Sequence, residues 1–321
     1  MMGCIRKYPD VFEVVGIVEP DKARRAEAMR SSAYRGLDWL TEEQLLNAGV
    51  DAVELEGFEL DNVTAARRCI AAGAHVHIDK PAGEDLDEFT ALLREAKAKS
   101  LCVQLSYMYR YNPAVLDCLR RVRDGELGEI YEVDAIMDTC HMPDKRRWLG
   151  HFKAGIMFFL GCHMVDLVYM MQGMPERVEP FNLSTGFDGV TAVDHSFAAL
   201  VFKNGVSTVR ATSTEVNGFG RRQLVVCGSK GTYEIKPLEN PTRAYFANDG
   251  RAEMTYRALI GEIEQPVPAV AGRYDAMMLD FAAMVRGEKE NPFDYRYEYD
   301  VERLLLACCG EKVDLKKSID L

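Results

Sequence analysis

The chain has 321 residues, about twice the length of a usual domain, so two domains are expected. Hydrophobic residues make up 48% and charged residues 28%, the proportions of a globular protein that needs no disulfide or metal to hold its core. A net charge of −11, from 39 basic and 50 acidic side chains, argues against nucleic acid or an anionic membrane as the main partner.

The first residues, Met1–Asp10, contain no apolar run of signal-peptide length. The β-branched run Val11–Val18, between Pro9-Asp10 and Pro20-Asp21, predicts a buried strand. Thr41-Glu42-Glu43-Gln44 is a capping box, opening a short helix that ends near Gly49. Val50–Leu55, Ala74–Asp79 and Leu101–Ser106 read as further strands. Between them, Val63, Ala66 and Ile70 repeat at helical spacing until Gly73, and Leu86, Phe89, Leu92, Leu93 and Ala96 make one apolar helical face. Strand and helix alternating in this way predict a parallel sheet covered by helices.

After Pro113 the pattern changes. One helix, Ala114–Arg123, is followed by strand-like runs at Ile130–Thr139, His195–Phe202, Val206–Val216 and Gln223–Val226. Asn204-Gly205 is a hairpin signal, and Gly228–Gly231 marks another turn. An apolar helix is expected over His163–Met171, and others over Tyr274–Arg286 and Tyr299–Cys309. The fold class is therefore α/β: a Rossmann-like parallel-sheet domain (residues 1–112), then an α+β domain with a large antiparallel sheet (residues 113–321). The longest apolar stretch, Gly155–Cys162, is far shorter than the ~20 residues that span a bilayer. Nine cysteines without a CxxC pair suggest reduced thiols, and a cytoplasmic protein is expected.

An acidic residue ending the second strand of a doubly wound sheet accepts hydrogen bonds from an adenine-ribose diol, and Glu19 is so placed. The phosphate-binding G-x-G-x-x-G should begin ~20 residues earlier. That count falls before Met1, and Gly3 and Gly16 do not form the motif. The expectation is a sheet domain whose first strand and glycine turn are missing, with Gly3–Tyr8 as the tail of its first helix.

Four segments then occur in order: His77-Ile78-Asp79-Lys80-Pro81 after Ala72-Gly73; Tyr109-Arg110-Tyr111-Asn112-Pro113; Gly161-Cys162-His163-Met164-Val165-Asp166; and Val226-Cys227-Gly228-Ser229-Lys230-Gly231-Thr232. From Val11 to Gly310 the chain resembles the glucose-fructose oxidoreductase / inositol dehydrogenase / MocA (Gfo/Idh/MocA) family. The first segment is similar to that family's "aG-x-x-V-x-x-EKP", with Asp79 for Glu. The resemblance implies an oxidoreductase that moves a hydride between NAD or NADP and a sugar or polyol hydroxyl. It implies Lys80 and His163 as catalytic residues, the lysine holding the reacting oxygen and the histidine exchanging its proton. Glu19, Gly57, Phe58, Lys80 and Pro81 would then line the cofactor, and Arg110, Trp148, Lys153 and His163 the substrate. Arg147 lies beside Trp148, and a tryptophan face with neighbouring cations suits a sugar ring or an anionic derivative.

Departures from the family pattern gather at the same places. Phe159 stands four residues before His163, where the family carries an aspartate. Lys153-Ala154-Gly155 retains only the last residue of a glycine run. Glu54, Glu56 and Glu59 bring three carboxylates toward a site meant for a pyrophosphate, which they would repel. The alternative is thus a catalytically silent sugar-binding or partner subunit with the same fold. His75, His141 and His151 show no partner pattern, and no metal-ligand spacing is present. Apolar residues on both faces of His195–Phe202 and Val206–Val216 predict a homodimer or homotetramer built on this sheet.

Overall fold

The computed structural model describes residues 1–248, 263–266, 268, 272–317 and 319–321. They form two compact units: residues 1–106 with 271–299 and Leu321, and residues 107–270 with 300–320.

The first unit begins with a short helix, α1 (Met2–Ile5), whose Cys4 and Ile5 are buried. Helix α2 (Lys22–Ala28) starts at Asp21, which accepts the Arg24 N–H at 2.8 Å. Helix α3 (Glu42–Asn47) opens on the expected capping box: Gln44 N–H donates to Thr41 Oγ1 (3.2 Å) and Thr41 N–H to Gln44 Oε1 (2.8 Å). The run Val11–Val18 does not become a strand. It makes one parallel bridge, Ile17 to Trp39, and none of its residues is fully buried, since β-branching makes a strand only where a neighbour offers a ladder.

Strands β1 (Ala52–Leu55), β2 (His75–Ile78) and β3 (Val103–Leu105) pair in that order, all parallel. Helix α4 (Asn62–Ala72) joins the first two and stops at Gly73, whose φ of 93° lies in the left-handed region. Helix α5 (Leu86–Ala98) joins the second and third, with Phe89, Leu92, Leu93 and Ala96 fully buried as their spacing predicts. Each large apolar side chain so buried stabilises the unit by roughly 1.5–3 kcal/mol.

The second unit holds helix α6 (Pro113–Arg123), capped by Asn112, strand β4 (Ile130–Asp138), helix α7 (Pro143–Trp148) and helix α8 (Cys162–Gln172). Strands β5 (Arg177–Leu183), β6 (His195–Val201), β7 (Val206–Thr212), β8 (Gln223–Gly228), β9 (Gly231–Ile235), β10 (Arg243–Asn248) and β11 (Ile263–Pro266) follow. Helix α9 (Asp275–Val285) belongs to the first unit, and α10 (Tyr295–Cys308) completes the elements. The hairpin at Asn204-Gly205 forms, and a Cβ on Gly205 would run into the Tyr131 carbonyl.

The eight-stranded sheet has the order β11-β10-β9-β8-β4-β7-β6-β5. It is antiparallel, as expected, except at one pair: β4 runs parallel to β7 and antiparallel to β8. The segment between β4 and β7 supplies the long crossover that a parallel pair needs. Strand β5 was not legible because Pro180 interrupts it. As the sheet's edge strand it tolerates the proline.

One sheet face carries Val133, Ala135, Met137, Ala198, Leu200, Val209, Ala211, Leu224 and Val226, all buried, with α8 packed on β4. The other face, at β5 and β6, leaves Phe197, Ala199 and Val201 half-buried, with Phe181 and Leu183 56% and 61% exposed. Among the described residues no helix is long and apolar enough to cross a membrane.

Candidate functional site

On the first unit, Gly57, Phe58, Lys80 and Pro81 follow the carboxyl ends of β1 and β2, the end at which open parallel sheets bind ligands, whereas Glu19 ends no strand, because the run before it makes a single bridge. Lys80 is 8% exposed, and its N–H donates to Asp79 Oδ1 at 3.0 Å. Pro81 and Ala82, which follow it, are also buried. Gly57 and Phe58 form the turn from β1 toward α4, and Glu59 beside them is buried. Glu19 accepts the Asp21 N–H at 2.8 Å and faces Arg24 at 3.5 Å.

Of the three carboxylates expected to crowd this region, Glu54 turns to the imidazole of His77, Oε2 lying 2.5 Å from Nδ1. These two residues are in register on adjacent strands, and Gln104 continues the row on β3. Burial pushes the Glu54 carboxyl above its ordinary range, while the His77 beside it acts in the opposite sense.

On the second unit, His163 sits in the first turn of α8 and is 4% exposed. Tyr107 and Tyr109 meet its ring edge-on, at 5.7 Å and 85° and at 5.1 Å and 88°. Arg110 lies over the Tyr107 ring at 4.6 Å and grips Asp166, Nε and Nη2 donating to Oδ1 at 3.0 and 2.8 Å. Asp166 is three residues beyond His163, so a bidentate buried pair anchors the turn that carries the imidazole. Tyr109 donates its hydroxyl to Glu239, which also pairs with Arg222. Tyr107 and the Glu239–Arg222 pair carried no sequence signal, since their partners are distant in the chain.

The segment before α8 is a π-helical turn, Met157–Gly161. Such turns are frequent at functional sites. Gly155, just ahead of it, has φ +44°, and a Cβ there would collide with the Val193 carbonyl. Only glycine fits at this position. Phe159 joins Trp148 and Phe152: it meets Trp148 edge-on at 5.1 Å and stacks on Phe152 at 6.0 Å and 4°. The ammonium of Lys145 lies 3.3 Å from the Trp148 ring centroid and 4.2 Å from that of Phe159. Lys145 was overlooked in the sequence, although it stands one helical turn before Trp148. The two cations singled out there are ion-paired: Arg147 with Asp144 at 2.7 Å and Lys153 with Glu311 at 3.2 Å. His141, which showed no pattern, has its pKa pushed down to about 4 by burial and by the charges of Lys145 and Arg222.

Residues 115–234 match the model of the GFO/IDH/MocA C-terminal domain. The uncharacterized oxidoreductase YhhX of Escherichia coli is 27% identical over 57% of this chain, and the match spans about half (52%) of that protein. The scyllo-inositol 2-dehydrogenase (NAD(+)) of Bacillus subtilis is 24% identical over 71% of this chain and 67% of its own length. A solved levoglucosan dehydrogenase, in complex with NADH and levoglucosan, superposes with a TM-score of 0.80 at 17% identity, covering 98% of this chain and 95% of that one. The family model and the relatives lead to one assignment: residues 115–234 are a GFO/IDH/MocA C-terminal domain, in a chain similar to oxidoreductases and sharing the fold of the solved dehydrogenase.

Proposed function

We propose that the protein transfers a hydride between a nicotinamide dinucleotide and a hydroxyl of a sugar or polyol. The observation that carries this reading is His163, buried between two edge-on tyrosines and anchored through Arg110–Asp166, in a chain carrying this C-terminal domain. Relatives that bear dehydrogenase names weigh against the catalytically silent alternative.

The strand-end residues fit a dinucleotide: a buried lysine at the carboxyl end of β2, and Gly57-Phe58 at the end of β1. Gly57, Phe58, Lys80 and Pro81 would hold its nicotinamide end and Glu19 its adenine ribose. When bound, the nicotinamide supplies the hydride acceptor. The remaining work belongs to the chain. The Lys80 ammonium donates to the reacting oxygen and favours its alkoxide character. An imidazole nitrogen of His163 takes the hydroxyl proton on oxidation and returns it on reduction. The edges of Tyr107 and Tyr109 fix the plane of that ring, so the nitrogen keeps one direction.

A panel of sugars and polyols, each with NAD and with NADP, tests the reading through the absorbance of the reduced nicotinamide. Lys80→Met and His163→Ala are each expected to lower kcat/KM for the best substrate by about 10²–10⁴-fold. Full turnover in either variant, or none by the parent chain with any panel member, would sink it.

A further inference from the structure

We infer that Glu239 and Arg222 are positioning residues for His163, acting through the hydroxyl of Tyr109. This inference rests on the dehydrogenase reading above and extends it from the imidazole to the side chains that hold its neighbour.

His163 is buried and meets two tyrosine rings edge-on, Tyr109 being the nearer at 5.1 Å. A ring contact by itself sets a plane softly. What fixes the Tyr109 ring is its hydroxyl, which donates to Glu239 Oε1. The same oxygen accepts from Arg222 Nη1, which also comes within 3.5 Å of the phenolic oxygen. A hydrogen bond to a charged acceptor is stronger than one between neutral groups. The Met137 thioether, 3.8 Å from that hydroxyl, is a weaker acceptor than the carboxylate.

The carboxylate is itself held. The side chains of Arg222 and Glu239 are each 6% exposed, a buried ion pair. Arg222 Nε donates to the Asp138 carbonyl at 3.1 Å, which ties it to the last residue of β4, and its guanidinium lies 4.4 Å from the centroid of the Phe219 ring. Leu238 N–H donates to the Arg222 carbonyl at 2.8 Å, and Asn112 Nδ2 donates to the Leu238 carbonyl at 3.1 Å. Asn112 belongs to the Tyr109–Pro113 segment, so the stretch that carries Glu239 is pinned to the tyrosine it serves. All of these residues lie in the second unit.

Burying an ion pair carries a desolvation cost that the attraction between the charges often fails to offset, so an apolar filling would serve packing alone as well. A buried carboxylate bonded to a phenol hydroxyl sets direction instead. Direction matters where an imidazole nitrogen must stay aimed at a reacting oxygen. Arg110–Asp166 fixes the helical turn that carries His163, and the Tyr109–Glu239–Arg222 chain fixes the ring beside it. Loosening that ring should therefore slow turnover more than it weakens substrate binding.

Kinetics of the whole chain on its best sugar or polyol, together with NMR of histidine-labelled protein, test this. The chain has six histidines, and the His163 signal is the one lost in His163→Ala. Tyr109→Phe keeps the ring and removes its hydroxyl. It should lower kcat about tenfold with KM changed by less than about twofold, and should shift or broaden the His163 signal. Glu239→Leu should do the same, and the two substitutions together should cost no more than either alone. Glu239→Gln, whose amide oxygen is able to accept both bonds, should recover most of what Glu239→Leu loses. An unchanged kcat or an unchanged His163 signal in Tyr109→Phe, losses that multiply in the double variant, or Glu239→Gln no better than Glu239→Leu would each overturn the assignment. Should Glu239→Leu melt early, Tyr109→Phe carries the test, since its ring fills the same space. A chain that turns over nothing counts against the dehydrogenase reading. The His163 signal of Tyr109→Phe then decides the positioning role without turnover, a moved signal supporting it and an unmoved one refuting it.

Discussion

Phe159 and Trp148 meet edge to face, ring centroids 5.1 Å apart at 81°, although Phe159 stands on the turn that leads directly into the His163 helix. The contact joins two stretches that share no local pattern: a Pro-initiated helix of six residues and a π-helical turn. Phe152 completes the cluster from the loop between them. Phe159 is therefore one ring of an aromatic cluster with Trp148 and Phe152.

The Arg110–Asp166 pair makes a prediction about stability. Both side chains are 1% exposed, so removing one breaks a buried ion pair. Asp166→Leu alone should destabilise the second unit by about 3–5 kcal/mol, and Arg110→Met with Asp166→Leu by clearly less. Urea denaturation of the two variants decides it. Equal losses would mean that the pair is not energetically coupled.

Asp138 predicts a pH dependence. Its carboxyl is pushed from 3.8 up to about 6, chiefly by burial and then by the hydrogen bond it donates, when protonated, to Glu215, with Arg210 pulling the other way. A carboxyl with a raised native pKa binds its proton more tightly when folded. Its contribution is complete below the unfolded pKa and is lost as pH rises through the native one. The urea midpoint should therefore fall, through this group, between about pH 4 and pH 6. In Asp138→Asn that slope should flatten. An unchanged slope in the variant would count against the raised pKa.

Glu19 bears on the choice of cofactor. A carboxylate facing the adenine ribose repels a 2′-phosphate, so NADH should bind more tightly than NADPH. Arg24, 3.5 Å away, offers a phosphate partner once the acid is removed. Glu19→Ala should narrow or reverse the preference by about tenfold, read from nicotinamide fluorescence. A parent chain that prefers NADPH would refute this role.

The outward face of β5 and β6 predicts self-association. Phe181 and Phe197 are cross-strand partners with ring centroids 6.1 Å apart, and Leu183 beside them is 61% exposed. An apolar patch of this kind marks an interface, and a homodimer or homotetramer is expected. Phe181→Asp with Leu183→Asp should lower the mass measured by light scattering to that of one chain. A parent chain that is already monomeric at micromolar concentration would dismiss the interface.

What the sequence determined by itself was local. The Thr41–Gln44 capping box, the stop at Gly73, the buried stripe of α5 and the Asn204-Gly205 hairpin all form where the residues place them. Each depends on neighbours within one or two turns, so the pattern carries its own partner. Lys80 and His163 could be singled out as candidates because they sit inside motifs. Tertiary structure alone decided the rest. Val11–Val18 has strand composition but only one bridge, because a strand exists through its neighbours. The placing of β4 between β7 and β8 follows from the crossover and not from the composition of β4. Which cation meets which acid was equally hidden: Arg147, Lys153 and Arg222 find carboxylates, while Lys145 comes to rest on two rings. A long flexible side chain reaches many partners within its turn, and only the packing of distant elements selects among them.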